Sequence, residues 1–319
     1  MMKKLFAMVI VMITALFTGC GSATTPVREI NGDVTYYNIC TPNPDYSKCE
    51  LSEDAKAVFD AVCEAERVVI EDVYGLTLKR ENINVYYTDN IPEALYGQEP
   101  IEGVCGYYSV ELNQVFIDSS LKDNRPKMMG VMAHEAIHYL YAANNDTDNN
   151  FFSYRNGDGE ELGDALIEGL TQRIALNNLL ILENNGYCQG AYNAVIRNYY
   201  LNTRVSDLLC NYAVKDMDRY YLTNDFDSAR KAFNDSVGNQ LSSEYEPFEL
   251  FENALQKAQG ANDSNQAEVG MKYLEDAVWL VALSVNNSSA DNKKAFLSEF
   301  DSLGSFSEDY SKSIHHLLE

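Results

Sequence analysis

Residues 126–143 carry Met129, Met132, Ala133, Ala136, Ile137 and Leu140 at helical spacing, spread around most of the helix circumference. A helix that is apolar on most sides has to be covered on most sides. The rest of the chain must therefore pack around this segment. Pro126 suits its first turn, where the missing N–H costs nothing. A second stretch of the same kind runs over about 160–183 and stops at Asn184-Asn185-Gly186. Between the two, 144–159 is rich in Asn, Asp and Gly and predicts a loop.

Before this helical pair, 52–74 reads as a long helix through Val58, Val62, Ala65, Val69 and Val73, and Gly75 stops it. Residues 83–87, 106–110 and 114–118 read as strands, the last two joined into a hairpin by a turn over 111–113. From 190 onward nearly everything is helical, over 191–200, 205–221, 226–237, 247–258, 266–285 and 291–300, separated by Asn, Asp, Ser and Gly clusters. There is no internal repeat. The class is α+β, a small sheet with helices in the N-terminal part followed by an all-helical C-terminal part.

The first 19 residues place Lys3 and Lys4 before an apolar run over 5–17, too short for a permanent membrane span, and read as a signal peptide. Leu16-Phe17-Thr18-Gly19-Cys20 resembles the bacterial lipobox, which implies cleavage before Cys20 and lipidation of that cysteine. An exported chain held to the membrane of the cell envelope, facing the periplasm or the cell surface, follows from that resemblance. Residues 20–33 are polar and aperiodic and serve as the tether. The organisation expected is thus 1–19 signal peptide, 20–33 tether, 34–186 a mixed part and 187–319 a helical part.

Six further cysteines, Cys40, Cys49, Cys63, Cys105, Cys188 and Cys210, are an even number in an exported chain and lack paired C-x-x-C spacing. Both facts favour disulfides over a cysteine zinc site. Proximity alone offers Cys40 with Cys49 and Cys188 with Cys210. The net charge of −24 argues against nucleic acid as a partner, because binding a polyanion rests on Lys and Arg.

The first buried helix contains His134-Glu135-Ala136-Ile137-His138. Residues four apart share a helix face, so both imidazoles reach one ion while Glu135 reaches a water bound to it. With four histidines in the chain, chance gives this pentapeptide only rarely. A catalytic zinc takes three protein ligands and leaves a position for water. The metzincin pattern would need Gly at 141 and His at 144, where Tyr141 and Asn144 stand, and His315 and His316 lie in what reads as a solvated tail. A carboxylate is required, and Glu168 in the second buried helix supplies one whose burial itself demands a partner. Asp164, one turn earlier, is the rival ligand. Otherwise it is the group that accepts the other N–H of a histidine, a role for which Thr171 and Gln172 are weaker candidates.

These residues resemble the gluzincins, zinc peptidases in which HExxH on one helix is completed by a Glu on the next. The resemblance covers about 106–174. It implies a zincin-like N-terminal part, Zn²⁺ held by His134, His138 and Glu168, Glu135 as general base, and a peptide or protein substrate. It also implies a Tyr or His that stabilises the oxyanion, for which Tyr199, Tyr200, Tyr212, Tyr220 and Tyr221 are the candidates. Zincins add extended substrates to a sheet edge, and 106–110 or 114–118 would provide it. The function expected is zinc-dependent peptide hydrolysis by a cell-envelope lipoprotein. The alternative is a non-catalytic envelope lipoprotein whose zinc is structural and which binds a protein partner. Residues 146–157 begin like a calcium loop, but Phe151 stands where Gly is needed and Gly157 where Glu is needed.

Overall fold

The computed structural model describes residues 22–28, 34–40, 42–98, 104–145, 152, 154–155, 161–196, 200–242, 244–263 and 266–319. The signal peptide and the lipidation position Cys20 lie outside the described residues. The chain divides into two compact units, one gathering 34–149 and 171–198, the other 150–170 and 199–319.

β1 (Ser22–Arg28) and β2 (Val34–Cys40) form a two-stranded sheet. The expected tether therefore includes a strand, built on the β-branched Thr24, Thr25 and Val27. β3 (Cys49–Leu51), β4 (Asn84–Thr88), β5 (Gly106–Ser109) and β6 (Gln114–Asp118) form a four-stranded sheet in the order β3-β4-β6-β5. β4 and β6 are parallel, and the other neighbours are antiparallel. β5 is thus an edge strand and β6 an interior one, which removes 114–118 as a docking edge.

Alternation along the strands sends successive side chains to opposite faces. On one face Tyr87 donates its hydroxyl to Met128 Sδ at 3.1 Å, and the Tyr108 ring meets Tyr139 edge-on at 5.6 Å. Met128 and Tyr139 belong to α3 (Arg125–Asn144), which packs with α1 (Glu53–Tyr74). On the other face Phe116 packs with Ile91 and Leu95 of α2 (Ile91–Tyr96), a short helix that sequence periodicity does not reveal. α1 starts where Ser52 accepts from the Ala55 N–H at 3.1 Å and ends at Gly75 in the left-handed region. The far end of α3 is tied down as well, because Asn144 exchanges hydrogen bonds with the backbone of Lys79 at 2.6 and 3.0 Å.

α4 (Asp164–Asn184) is one continuous helix that runs through the division. It begins four residues later than the sequence pattern indicates, because Glu161–Leu162 forms strand β8, paired with β7 (Tyr154–Arg155). α5 (Ala191–Val195) closes the first unit.

From 200 onward the second unit is helical: α6 (Tyr200–Leu208), α7 (Met217–Leu222), α8 (Phe226–Val237), α9 (Pro247–Asp263), α10 (Ala267–Asn286), α11 (Ala290–Leu303) and α12 (Glu308–Leu318). Phe233, Phe248 and Phe251 join α8 to α9, with ring centroids 5.3 to 6.4 Å apart. The helix expected over 205–221 is broken. After α6 the backbone widens into a π turn over Leu209–Ala213, closed by the Val214 N–H on the Leu209 carbonyl at 2.8 Å. The expected solvated tail is α12, which buries Ile314 and Leu318 and sets His315 Nε2 2.9 Å from Asp301.

Among the described residues Cys49, Cys63, Cys105, Cys188 and Cys210 stand as thiols, and the Cys210 thiol donates to Asp218 at 3.5 Å. The Cys40 side chain lies outside the described residues.

Candidate metal centre

α3 delivers His134, Glu135 and His138 from a segment in which nearly every side chain is buried. One helical turn sets the two imidazoles side by side, with Nε2 of His138 3.1 Å from Nε2 of His134 and the rings 4.8 Å apart. Glu168, half-buried on α4, brings a carboxylate oxygen beside them, and no two of the three ligand atoms are farther apart than 4.8 Å. Among the described residues this is the one cluster of three or more His, Cys, Asp or Glu side chains that could hold a metal ion. Asp164, at the first turn of α4, is not part of it.

The tautomer of His134 follows from its neighbours. Gln172 lies one turn beyond Glu168, and its Oε1 is 2.8 Å from His134 Nδ1. The other end of that amide, Nε2, donates to the Val195 carbonyl at 3.1 Å. A carbonyl only accepts, so the nitrogen must face Val195 and the oxygen must face the imidazole. The His134 proton is therefore on Nδ1, and Nε2 keeps its lone pair for an ion. The partner at His134 Nδ1 is Gln172, the weaker candidate from sequence.

Glu135 is held separately. Its Oε2 accepts from the Tyr108 backbone N–H on β5 at 2.8 Å. That approach needs Gly106, because a Cβ there would run into Val131 Cγ1 and stand 2.9 Å from Glu135 Oε1. So the edge strand, not a neighbouring side chain, fixes this carboxylate. The Tyr107 phenol, on the same strand, shares a 2.9 Å hydrogen bond with the Tyr96 hydroxyl. Desolvation, with added repulsion from Tyr96, Glu111 and Glu135, holds it well above the usual tyrosine range, so it stays protonated.

Two of the tyrosines expected from the C-terminal part have named neighbours. Tyr212 donates to Glu299 at 2.7 Å, and Tyr221 is fully buried with its ring on Phe152 at 5.7 Å. Tyr199 and the Tyr200 side chain lie outside the described residues. The residues that sequence reading missed are Gly106, the Tyr108 N–H and the Val195 carbonyl. A glycine inside a strand pattern is a signal of close backbone approach, but it does not name what approaches.

No family model matches the chain, and no curated protein and no solved structure matches it. Among the described residues no helix is long and apolar enough to cross a membrane.

Proposed function

We propose that this chain is a zinc-dependent peptidase of gluzincin type, carried on a cell-envelope lipoprotein anchored through Cys20. The observation that carries the reading is the division of labour on α3. Two imidazole Nε2 atoms 3.1 Å apart share a cluster with the Glu168 carboxylate, while Glu135 is held by the Tyr108 N–H instead of joining that cluster. A purely structural site has no use for an acid placed in this way beside its ligands.

The donor set fits zinc. Two imidazole nitrogens and a carboxylate oxygen are donors that zinc takes, and here the three ligand atoms lie within 4.8 Å of one another. Two neutral imidazoles and one carboxylate leave a fourth position for water or substrate. When bound, a zinc ion supplies a Lewis acid for the scissile carbonyl and lowers the pKa of a water to ~7. Glu135, held by the Tyr108 N–H at Oε2, would act as the general base toward such a water and would hand the proton to the nitrogen of the departing amine. β5, the edge of its sheet, is the strand along which an extended peptide would lie beside Glu135.

The test is metal analysis of the purified chain together with cleavage of a mixed peptide library by wild type, Glu135→Gln and Glu168→Ala. One zinc per chain, cleavage abolished in Glu135→Gln with zinc retained, and zinc lost in Glu168→Ala is the expected result. Zinc retained with no peptide cleaved by wild type would instead favour the non-catalytic lipoprotein with a structural zinc.

A further inference from the structure

Glu168 stands on α4 between two points at which the second unit grips that helix, Ala165 before it and Gly169 after it. We infer that α9 and α6 clamp α4 at these two points, and that Gln256 and Gly169 are thereby positioning residues for the Glu168 carboxylate. The inference rests on the metal reading above for its consequence, whereas the clamp itself involves no ion.

Each contact has its own physical reason. The first N–H groups of a helix have no intrahelical acceptor. Ala165 belongs to the first turn of α4 and is 1 % exposed, so its N–H has to find a partner inside the protein. Gln256 of α9 supplies it, with Oε1 accepting at 3.0 Å. One turn further along, Gly169 faces α6. A Cβ there would stand 2.5 Å from Ser206 Oγ and 2.9 Å from the Asn202 carbonyl oxygen, a backbone atom that cannot swing aside. Glycine is a poor helix former, so its presence inside α4 is explained by this approach and not by the helix.

α6 and α9 are fastened to each other as well. Gln259, three residues after Gln256 and so on the same face of α9, accepts at Oε1 from Asn202 Nδ2 at 2.8 Å, and both amides are buried. The contacts thus close a circuit from α4 to α9, α9 to α6 and α6 back to α4, all within the second unit. A purely apolar interface can slide and repack. This one cannot do so freely, because a shift would leave buried polar atoms without partners. Glu168 lies inside the gripped turn, about 100° round the helix from Gly169, so its direction is fixed when that turn is fixed.

The experiment uses the full chain in detergent. Exchange of the Ala165 amide is followed in the metal-free protein, zinc affinity is measured by competition with a chromophoric chelator, and the visible spectrum of the cobalt(II) form reports the ligand set. Expected for Gln256→Leu is Ala165 exchange faster by about 5-fold, the equivalent of one ordinary hydrogen bond, with zinc bound about 10-fold more weakly and a changed cobalt spectrum. Gln256→Glu restores an acceptor at a helix N-terminus and should recover wild-type exchange and affinity. Gly169→Ala should weaken zinc by about 10-fold or more, and adding Ser206→Ala, which removes one of the two atoms in the way, should return part of the loss. Leu274→Ala, a cavity in the same unit, is the control and should leave the zinc affinity of the folded chain unchanged.

Unchanged Ala165 exchange in Gln256→Leu would overturn the inference, and so would wild-type zinc affinity and cobalt spectrum in both Gln256→Leu and Gly169→Ala. A loss of zinc in Leu274→Ala as large as in Gly169→Ala would overturn it too, by reducing the clamp to general stability. If Gly169→Ala does not fold, the two Gln256 variants carry the test. Absence of zinc from wild type would overturn the proposed function alone, because Ala165 exchange in that same metal-free chain still decides the clamp.

Discussion

Helices α3 and α10 are both 20 residues long and both largely buried, yet their interiors differ in kind. The covered side of α10 is Leu274, Ala277, Val278, Val281, Ala282 and Val285, with Ser284 as its buried hydroxyl, bonded to Ser236 at 2.6 Å. The covered side of α3 has Met132, Ala136, Ile137 and Leu140, but also His134, Glu135 and Tyr139. Each of those three has a named polar partner: Gln172, the Tyr108 N–H, and the Glu81 carbonyl, the last at 2.7 Å. Burying a polar group without a partner costs about 1 to 3 kcal/mol. A helix like α3 is therefore tolerated only where its surroundings have been matched to it. α10 needs no such matching, and its contribution is stability.

Removing the acid from α3 should separate chemistry from stability most sharply. Glu135→Gln keeps an oxygen for the Tyr108 N–H, so the melting temperature should change little while turnover of a cleaved peptide falls by about 10²- to 10⁴-fold. A variant that melted early would show that Glu135 is chiefly structural.

The opposite behaviour is expected of α10. Leu274→Ala should cost about 2 to 5 kcal/mol by denaturant unfolding, because Leu274 is 1 % exposed and the cavity relaxes only in part. Zinc bound per folded chain should stay at the wild-type value. If Leu274→Ala left stability untouched, the contrast between the two helices would be lost.

Gly106→Ala tests the strand that serves α3. The added methyl has to displace Val131 or push against Glu135, for about 1 to 3 kcal/mol of overpacking. It should lower kcat more than it lowers stability, measured by paired kinetics and melts. Equal activity at lower stability would remove β5 from the account of Glu135.

The smallest effect extends the comparison to α1. Glu66 is fully buried there, its Oε2 accepts from Asn178 Nδ2 at 2.5 Å, and its Oε1 has no hydrogen-bond partner among the described residues. Burial holds this carboxyl well above the usual glutamate range. The folded chain thus keeps a proton that the unfolded chain has already released. Its contribution to stability is full below the ordinary glutamate pKa and is lost as pH rises toward the folded value. Melts across that range should show wild type losing stability with rising pH relative to Glu66→Gln. Parallel curves for the two proteins would contradict a buried neutral acid.

Much of the first unit was legible because its signals are local. Ser52 and Gly75 bound α1, Pro126 opens α3, and the 106–118 hairpin keeps its turn, with Asn113 at φ 50°. In the second unit helix existence was legible and continuity was not. The 205–221 pattern stays apolar through Leu209 and Tyr212, but packing widens the backbone there. α12 was missed because its buried set is sparse, Ile314 and Leu318 on an otherwise polar helix. α2 was missed because six residues are too few for periodicity to register.

At the candidate site, the sequence by itself determined His134, Glu135 and His138, since spacing along one helix is a one-dimensional property that fixes which face each residue occupies. It also brought Glu168 forward, because an acid in an apolar helix needs a partner. Only the tertiary structure decided which nitrogen of His134 faces His138, which oxygen of Glu135 is held, and that Gly106 and Gly130 are the places where backbones come close. Those answers depend on hydrogen bonds and contacts between residues up to 65 positions apart along the chain, such as Gln172 with His134 and Val195, or Val195 with Gly130. No local pattern encodes the approach of two backbones, and a donor has no direction until its acceptor is in place.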